Sequence, residues 1–569
     1  MKPEKRWTLK TASEQTINNL VDSLKISPVI CCLLAVRGIA DYDSAKTFFR
    51  PSLEYLHDPF LMKDMHKAVK RITDAIEWHE RIIVYGDYDV DGTTAVSVVY
   101  SFLKDHYKGE ISFYIPHRYR EGYGVSKAGI DFARDNGYTL MITLDCGIKS
   151  SGLIAYAQSF GIDVIVCDHH LPDAQLPVAH AILNPKQPGC KYPYKELSGC
   201  GIGFKLVCAL AKHWNLAADI TYQYLDLVAT SIAADIVPMD GENRVLAHFG
   251  TKKINENPSL AIQTLKDLAG ITKPLSITDL VFVIGPRVNA AGRMDDARKA
   301  VDFFIETDPS KIDALAGALH SDNDDRKEVD KSTTEEALAI LQAEDKVSGR
   351  SSTVLYREHW HKGVVGIVAS RLIDHYYRPT IILTLANGKA TGSARSVSGF
   401  NIYEALHECR DLLESYGGHF YAAGMTMLPE RVEDFIIRFE EVVTKQIAPE
   451  LLIPEIEIDA EMPLSAIKPP FYNIIKQFEP LGPNNLRPVF LTKRVYDYQG
   501  NSRIVKEQHI KFIVHQHNGF VIDGIGFNLA DKFPIVADGA FDMVYTIDEN
   551  EYNGVTKLQV KVLDVRAAV

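Results

Sequence analysis

Arg81-Ile-Ile-Val-Tyr-Gly-Asp-Tyr-Asp-Val-Asp-Gly92 decides how this 569-residue chain is read. The stretch opens with a short apolar run and breaks at Gly86. It then places carboxylates at Asp87, Asp89 and Asp91. Alternation puts the three acids on one side of an extended segment, and Gly92 lets the backbone turn tightly into the next element. From Thr93 to Leu103 the residues suit a helix. A buried strand, a tight turn and a helix form the repeating unit of a parallel sheet.

The same pattern recurs downstream. Thr139-Leu-Met-Ile-Thr-Leu144 runs into Asp145-Cys146-Gly147 and a helix over 149–160. Asp163-Val-Ile-Val-Cys167 runs into Asp168-His169-His170. Three expected strands thus end in residue types that bind metals. In open α/β sheets, ligands sit beyond the carboxyl ends of the strands. These groups, far apart in sequence, are therefore expected to meet. Asp235, closing an expected helix over 222–234, is a further candidate. Crowded carboxylates repel one another and raise each other's pKa, which divalent cations relieve. Oxygen ligands with one or two imidazoles suit Mn²⁺ or Mg²⁺. Taken alone, Asp-x-Asp-x-Asp-Gly also reads as a solvated turn or a calcium loop, although the glutamate an EF-hand needs is missing. Asp-His-His alone reads as a cap. The coincidence at three strand ends favours a site.

Composition excludes other classes. A hydrophobic content of 46% with 24% charged residues is that of a globular protein. No apolar run reaches the roughly 18 residues of a membrane helix. The charged start Met1-Lys-Pro-Glu-Lys-Arg6 predicts no secretory leader. The eight cysteines form no Cys-x-x-Cys pair, so reduced thiols in a cytoplasm are expected. Net charge is −12, which read alone argues against a nucleic-acid coat. Local sums differ. From Arg357 to Arg395, six bases (Arg357, Lys362, Arg371, Arg378, Lys389, Arg395) face two acids, Glu358 and Asp374. A second α/β unit starts near Ser351. After Pro449, short strand-like runs alternate with turns, as in a small all-β barrel.

These motifs together resemble the DHH phosphoesterase superfamily, named for the signature seen here as Asp168-His169-His170. Within it they are most similar to the RecJ family of single-strand-specific 5′→3′ exonucleases. Val84 to Ala95, Leu144-Asp-Cys-Gly-Ile148, Ala229-Thr-Ser-Ile-Ala-Ala-Asp-Ile-Val-Pro-Met239 and Gly285-Pro-Arg-Val-Asn-Ala-Ala-Gly-Arg293 carry the resemblance in the first half. His361 to Arg371, Gly392-Ser-Ala-Arg-Ser396 and Gly417-Gly-His-Phe-Tyr-Ala-Ala-Gly424 resemble the DHH-associated domain. Phe478 to Phe490 resembles the family's OB region, with Asn485-Leu486 where Asn-Pro is more usual.

The resemblance implies an α/β protein with a parallel-sheet DHH domain, a second α/β DHH-associated domain and a C-terminal all-β OB-fold module. The expected division is 1–50 as an N-terminal extension, 51–308 as the DHH catalytic domain, 309–345 as a helical linker, 346–448 as the DHH-associated domain and 449–569 as the OB module. It further implies two Mn²⁺ or Mg²⁺ ions on Asp89, Asp91, Asp145, His169 and Asp235. Asp87 and Asp168 would orient histidine or water, and His170 would contact the scissile phosphate or complete the site. Ser393 and Arg395 would hold a 5′-terminal phosphate, joined by Arg118. Arg287, Arg371 and His419 would contact the nucleic acid. The implied activity is release of mononucleotides from the 5′ end of single-stranded DNA in recombination and repair, by a bacterial cytoplasmic monomer working with a helicase and a single-strand-binding protein. Two rivals stand beside it: a DHH phosphodiesterase of short oligoribonucleotides or cyclic dinucleotides, and a non-catalytic DNA-binding scaffold. The intact set of acids and histidines disfavours the second.

Overall fold

The computed structural model describes residues 4–343, 349–516, 519–552 and 554–568. Its contacts divide the chain into two units. The larger comprises Trp7–Val288, Ala297–Ala316 and Glu457–Val569; the smaller comprises Met1–Arg6, Asn289–Asp296 and Gly317–Ile456.

In the larger unit, five parallel strands lie in the order Ile111–Tyr114, Ile82–Gly86, Leu140–Leu144, Asp163–Cys167, Ala181–Leu183. Of these five, the first in chain order is second in the sheet. The connection therefore reverses between Ile82–Gly86 and Leu140–Leu144, the switch point where such sheets bind ligands. Ile83, Tyr85, Met141, Val164 and Val166 face one apolar layer, packed on Ile130, Ala133, Ile154 and Ala157. Helix Gly199–His213 lies close on the sheet and on helix Val90–His106. A Cβ at Gly203 would meet Leu144 Cδ2 and Val99 Cγ2, each at 3.2 Å. Expected strands and helices are found within a few residues. Ala181–Leu183 lies in the stretch 171–203 that reads as irregular, because three residues between prolines are too short to show a period.

The C-terminal part of the same unit is a seven-stranded antiparallel-rich sheet. Pairing of Phe490–Asp497 with His509–His515, Tyr496 opposite His515, folds it back on itself as a barrel. Its core (Phe490, Phe512, Tyr545) is continuous with Leu20, Ile30, Leu33 and Leu34 from helices Glu14–Leu24 and Pro28–Ala35. These two helices, in the stretch expected as an extension, thus bury their apolar face in the barrel's cluster.

The smaller unit holds a five-stranded sheet ordered Ser415–Gly418, Ala422–Met427, Lys389–Arg395, Thr380–Ala386, Thr353–Tyr356, in which only the last pair is parallel. The expected linker is one 35-residue helix, Pro309–Ala343. It is less exposed than its composition predicts, since Asn323 and Asp330 are fully buried. Ala337 and Leu341 pack with Trp360, Val365 and Val368, joining this helix to helix Val365–His375. The expected boundary at 345/346 lies outside the described residues.

Candidate active site

The acids converge at the switch point. Asp145 follows strand Leu140–Leu144, His169 follows Asp163–Cys167, and Asp235 caps the end of helix Leu225–Ala234. His169 Nε2 lies 3.2 Å from Asp145 Oδ1, 3.6 Å from Asp235 Oδ2 and 3.9 Å from Asp91 Oδ2. The ligand atoms of Asp145, His169 and His170 all lie within 4.8 Å of one another, as do those of Asp91, His169 and Asp235. Asp145 Oδ1, His169 Nε2 and Asp87 Oδ2 are buried, and none has a hydrogen-bond partner among the described residues. Buried polar atoms are rarely left unsatisfied. An imidazole nitrogen facing a carboxylate oxygen without a bond between them fits a cation that both would ligate. These atoms, with the oxygen-rich set around them, therefore fit Mn²⁺ or Mg²⁺.

Electrostatics agree. Burial first, then the charge of neighbouring carboxylates, pushes Asp145 and Asp235 well above the usual carboxylate range and raises Asp89. Burial and Asp89 do the same to Asp87. Asp168 behaves differently. Burial opposes its ionisation, yet the hydrogen bond and charge of His170 hold it down at about 2. Its Oδ1 meets His170 Nδ1 at 2.7 Å and its Oδ2 accepts from Ile148 N at 2.9 Å. Asp168 thus fixes the ring so that Nε2 points away from the carboxylate. Burial lowers His169, which favours the neutral, ligating imidazole.

Local backbone is shaped for this crowding. Asp145 has φ 59° and Ile236, next to Asp235, has φ 57°. Left-handed non-glycine residues carry strain and cluster at functional sites. A Cβ at Gly199 would come within 2.6 Å of Asp145 Cβ, so only glycine lets helix Gly199–His213 approach. That approach was missed in the sequence. Asp91 accepts from Gly199 N and Cys200 N, each at 2.7 Å, and from Ser231 Oγ at 2.7 Å. The helix N-terminus and the hydroxyl hold a carboxylate in place. Ser198-Gly-Cys-Gly201, small residues opening a helix, was the available signal. Asp89 Oδ1 caps helix Val90–His106 at Gly92 N, 3.0 Å away. Tyr123, which in the sequence suggests only a base-stacker or a packing residue, donates to Asp145 O at 3.0 Å and sits 3.3 Å from His170 Nε2.

The remaining expected residues divide. In the larger unit, Arg118 stacks 4.7 Å above Tyr88, and its charge acts to lower the pKa of Asp87 and Asp89. Arg287 is mostly buried and donates to Val283 O at 2.7 Å. In the smaller unit, Arg395 Nη1 meets Ser393 Oγ at 2.9 Å. A Cβ at Gly366 would touch Arg395 Nη2 at 2.9 Å and Ser393 Oγ at 3.0 Å. Helix Val365–His375, with no side-chain cap, therefore begins against a hydroxyl and a guanidinium, groups of the kind that could hold a phosphate. His419 is exposed on the hairpin. Arg371 gives Nη2 to Asp330 Oδ2 at 2.6 Å. Arg378 is buried on Thr353 Oγ1, and Lys389 pairs with Glu414. The local basic excess is thus partly offset by partners within the protein.

Three sequence models match in order: the DHH family, N-terminal domain over 81–232, the DHHA1 domain over 349–445 and the RecJ OB domain over 458–564. The single-stranded-DNA-specific exonuclease RecJ of Bacillus subtilis is 34% identical over 98% of this chain and 70% of its own length. That of Salmonella typhimurium is 32% identical over 95% and 96%. The crystal structure of RecJ from Thermus thermophilus in complex with Mn²⁺ superposes with a TM-score of 0.84 at 26% identity, covering 99% of this chain and 79% of that one. The Mg²⁺ complex of the same protein gives a TM-score of 0.79.

Proposed function

The chain belongs to the RecJ family of single-stranded-DNA-specific exonucleases, and from that membership we propose that it hydrolyses single-stranded DNA from the 5′ end to mononucleotides with two divalent cations. The observation that carries this reading is the pair of buried, partnerless atoms Asp145 Oδ1 and His169 Nε2, 3.2 Å apart at the sheet's switch point. Asp89, Asp91, Asp145, His169 and Asp235 would hold the ions. Bound there, Mn²⁺ or Mg²⁺ would supply Lewis acidity and a nucleophilic water at neutral pH.

The protein's own groups do the rest. Asp91 is held by two backbone amides and Ser231, so its carboxylate is oriented before any ligand arrives. Asp168 fixes His170 with Nε2 directed away, ready to contact a phosphate oxygen. Gly366, Ser393 and Arg395 would cradle a terminal phosphate. The barrel at the C-terminus suits single-strand binding by its fold class. Action in repair and recombination, a helicase and a single-strand-binding protein as partners, a monomeric state, a cytoplasmic setting and the five-segment division belong to the same proposal. Among the described residues, no helix is long and apolar enough to cross a membrane.

The test uses 5′- and 3′-labelled single strands with Mn²⁺. Release of labelled mononucleotide from the 5′ end alone supports the reading. Release from the 3′ end, or turnover confined to dinucleotides, overturns it.

A further inference from the structure

Arg371 lies in the segment whose bases read as DNA contacts, yet its half-exposed side chain is paired with a buried acid. Its Nη2 reaches Asp330 Oδ2 at 2.6 Å, and Arg326 Nη1 approaches the same oxygen at 3.5 Å. Asp330 is fully buried on helix Pro309–Ala343. Arg371 belongs to helix Val365–His375, whose second residue, Gly366, abuts Ser393 and Arg395. One ion pair therefore ties the long helix to the helix that forms one wall of the phosphate cradle. Apolar packing of Ala337 and Leu341 on Val365 and Val368 joins the two helices, but such contacts are non-directional. A charge-assisted bond at 2.6 Å sets rotation and register.

We propose that Asp330, acting through Arg371, is a positioning residue for the 5′-phosphate cradle: it sets helix Val365–His375 so that Gly366 closes on Ser393 and Arg395. This rests on the cradle reading above. Arg371 then acts on the substrate indirectly, through the half-exposed side chain that Asp330 holds. Asp330 touches neither substrate nor metal. Its loss is felt as a looser cradle, with the chemistry downstream intact.

The experiment measures KM and kcat of Asp330→Asn, Arg371→Gln and the double variant on matched single strands ending in 5′-phosphate or 5′-hydroxyl, together with melting temperatures. Each single variant is expected to raise KM about tenfold for the phosphorylated strand only, with kcat within about twofold of wild type. The double variant is expected to be no worse than either single, since both break one interaction. If Arg371 instead contacts DNA directly, Asp330→Asn frees its guanidinium and affinity holds or improves while Arg371→Gln weakens it; that outcome overturns the proposal. Equal losses on both ends with a lowered melting temperature also overturn it, as a general structural role. If wild type discriminates between the ends and both variants keep that discrimination, this inference alone falls. If wild type shows no discrimination, the cradle reading falls first.

Discussion

Asp145 and Asp330 are both buried aspartates with an unpartnered oxygen, and their surroundings are opposite. Around Asp145 the largest charge effects come from other carboxylates: Asp91, Asp89, Asp235 and Asp168 all raise it beyond what burial does. Around Asp330 burial also raises the pKa, but the nearby charges are Arg371, Arg326 and Arg293, and all act to lower it. The protein neutralises Asp330 from within. Asp145 is left among acids, the surroundings expected of the cation ligand proposed above. The contrast separates an acid set among arginines from an acid set among carboxylates, which burial alone does not.

The largest effect that would break this contrast is expected at Asp145. Groups one layer out from a metal typically cost about 10- to 100-fold when removed, so Asp145→Ala, which removes a ligand, should cost more than about a hundredfold in activity on labelled single strands. Near-normal turnover by Asp145→Ala would dissolve the distinction. Next comes the cradle. Losing a charge-assisted hydrogen bond to phosphate is worth about 1.5–3 kcal/mol, so Arg395→Ala should weaken binding of a 5′-phosphorylated strand by roughly 10- to 100-fold. Mn²⁺ binding measured by calorimetry should not change. A smaller effect is expected at Ser231→Ala, which strips one of three donors from Asp91: about tenfold weaker Mn²⁺ affinity, with kcat recovered at saturating metal.

The subtlest prediction concerns pH. Asp87, Asp145 and Asp235 have raised pKa values in the metal-free fold. The native state then keeps protons that the unfolded chain has released. Metal-free stability should therefore fall as pH rises from the ordinary carboxylate range through those raised values. Mn²⁺ at about a hundred times its Kd adds about 2.7 kcal/mol. For a chain of this length that corresponds to roughly 2–3 °C in melting temperature at neutral pH, and the gain should shrink as the pH falls to about 4, near the ordinary carboxylate pKa. A metal-induced shift that is constant or larger in acid would contradict the picture of repelling carboxylates.

Much of the site was legible in the chain. The strand–turn pattern around Gly86, Leu144 and Cys167 has a local cause, since short apolar runs ended by glycine and acids can be little else. Hence the parallel sheet, the convergence of Asp145 and His169, and the barrel's strands were all readable. Ser231 and the amides of Gly199 and Cys200 were not, because their role depends on helices that are distant in the chain arriving to meet Asp91. Charge counting also misled between Arg357 and Arg395. A sum over residues cannot see that Arg371, Arg378 and Lys389 are directed at Asp330, Thr353 and Glu414.

By itself, then, the sequence determined which acids and histidines stand at the strand ends, the order of strands and helices, and the family, because residue type and short-range periodicity are local properties. Only the tertiary structure decided which acid is paired from within and which is left for a cation. It alone placed the N-terminal helices in the barrel's core and made Gly199 obligatory beside Asp145. These outcomes depend on which surfaces meet, and desolvation and Coulomb energy are set by distance and burial, not by position in the chain.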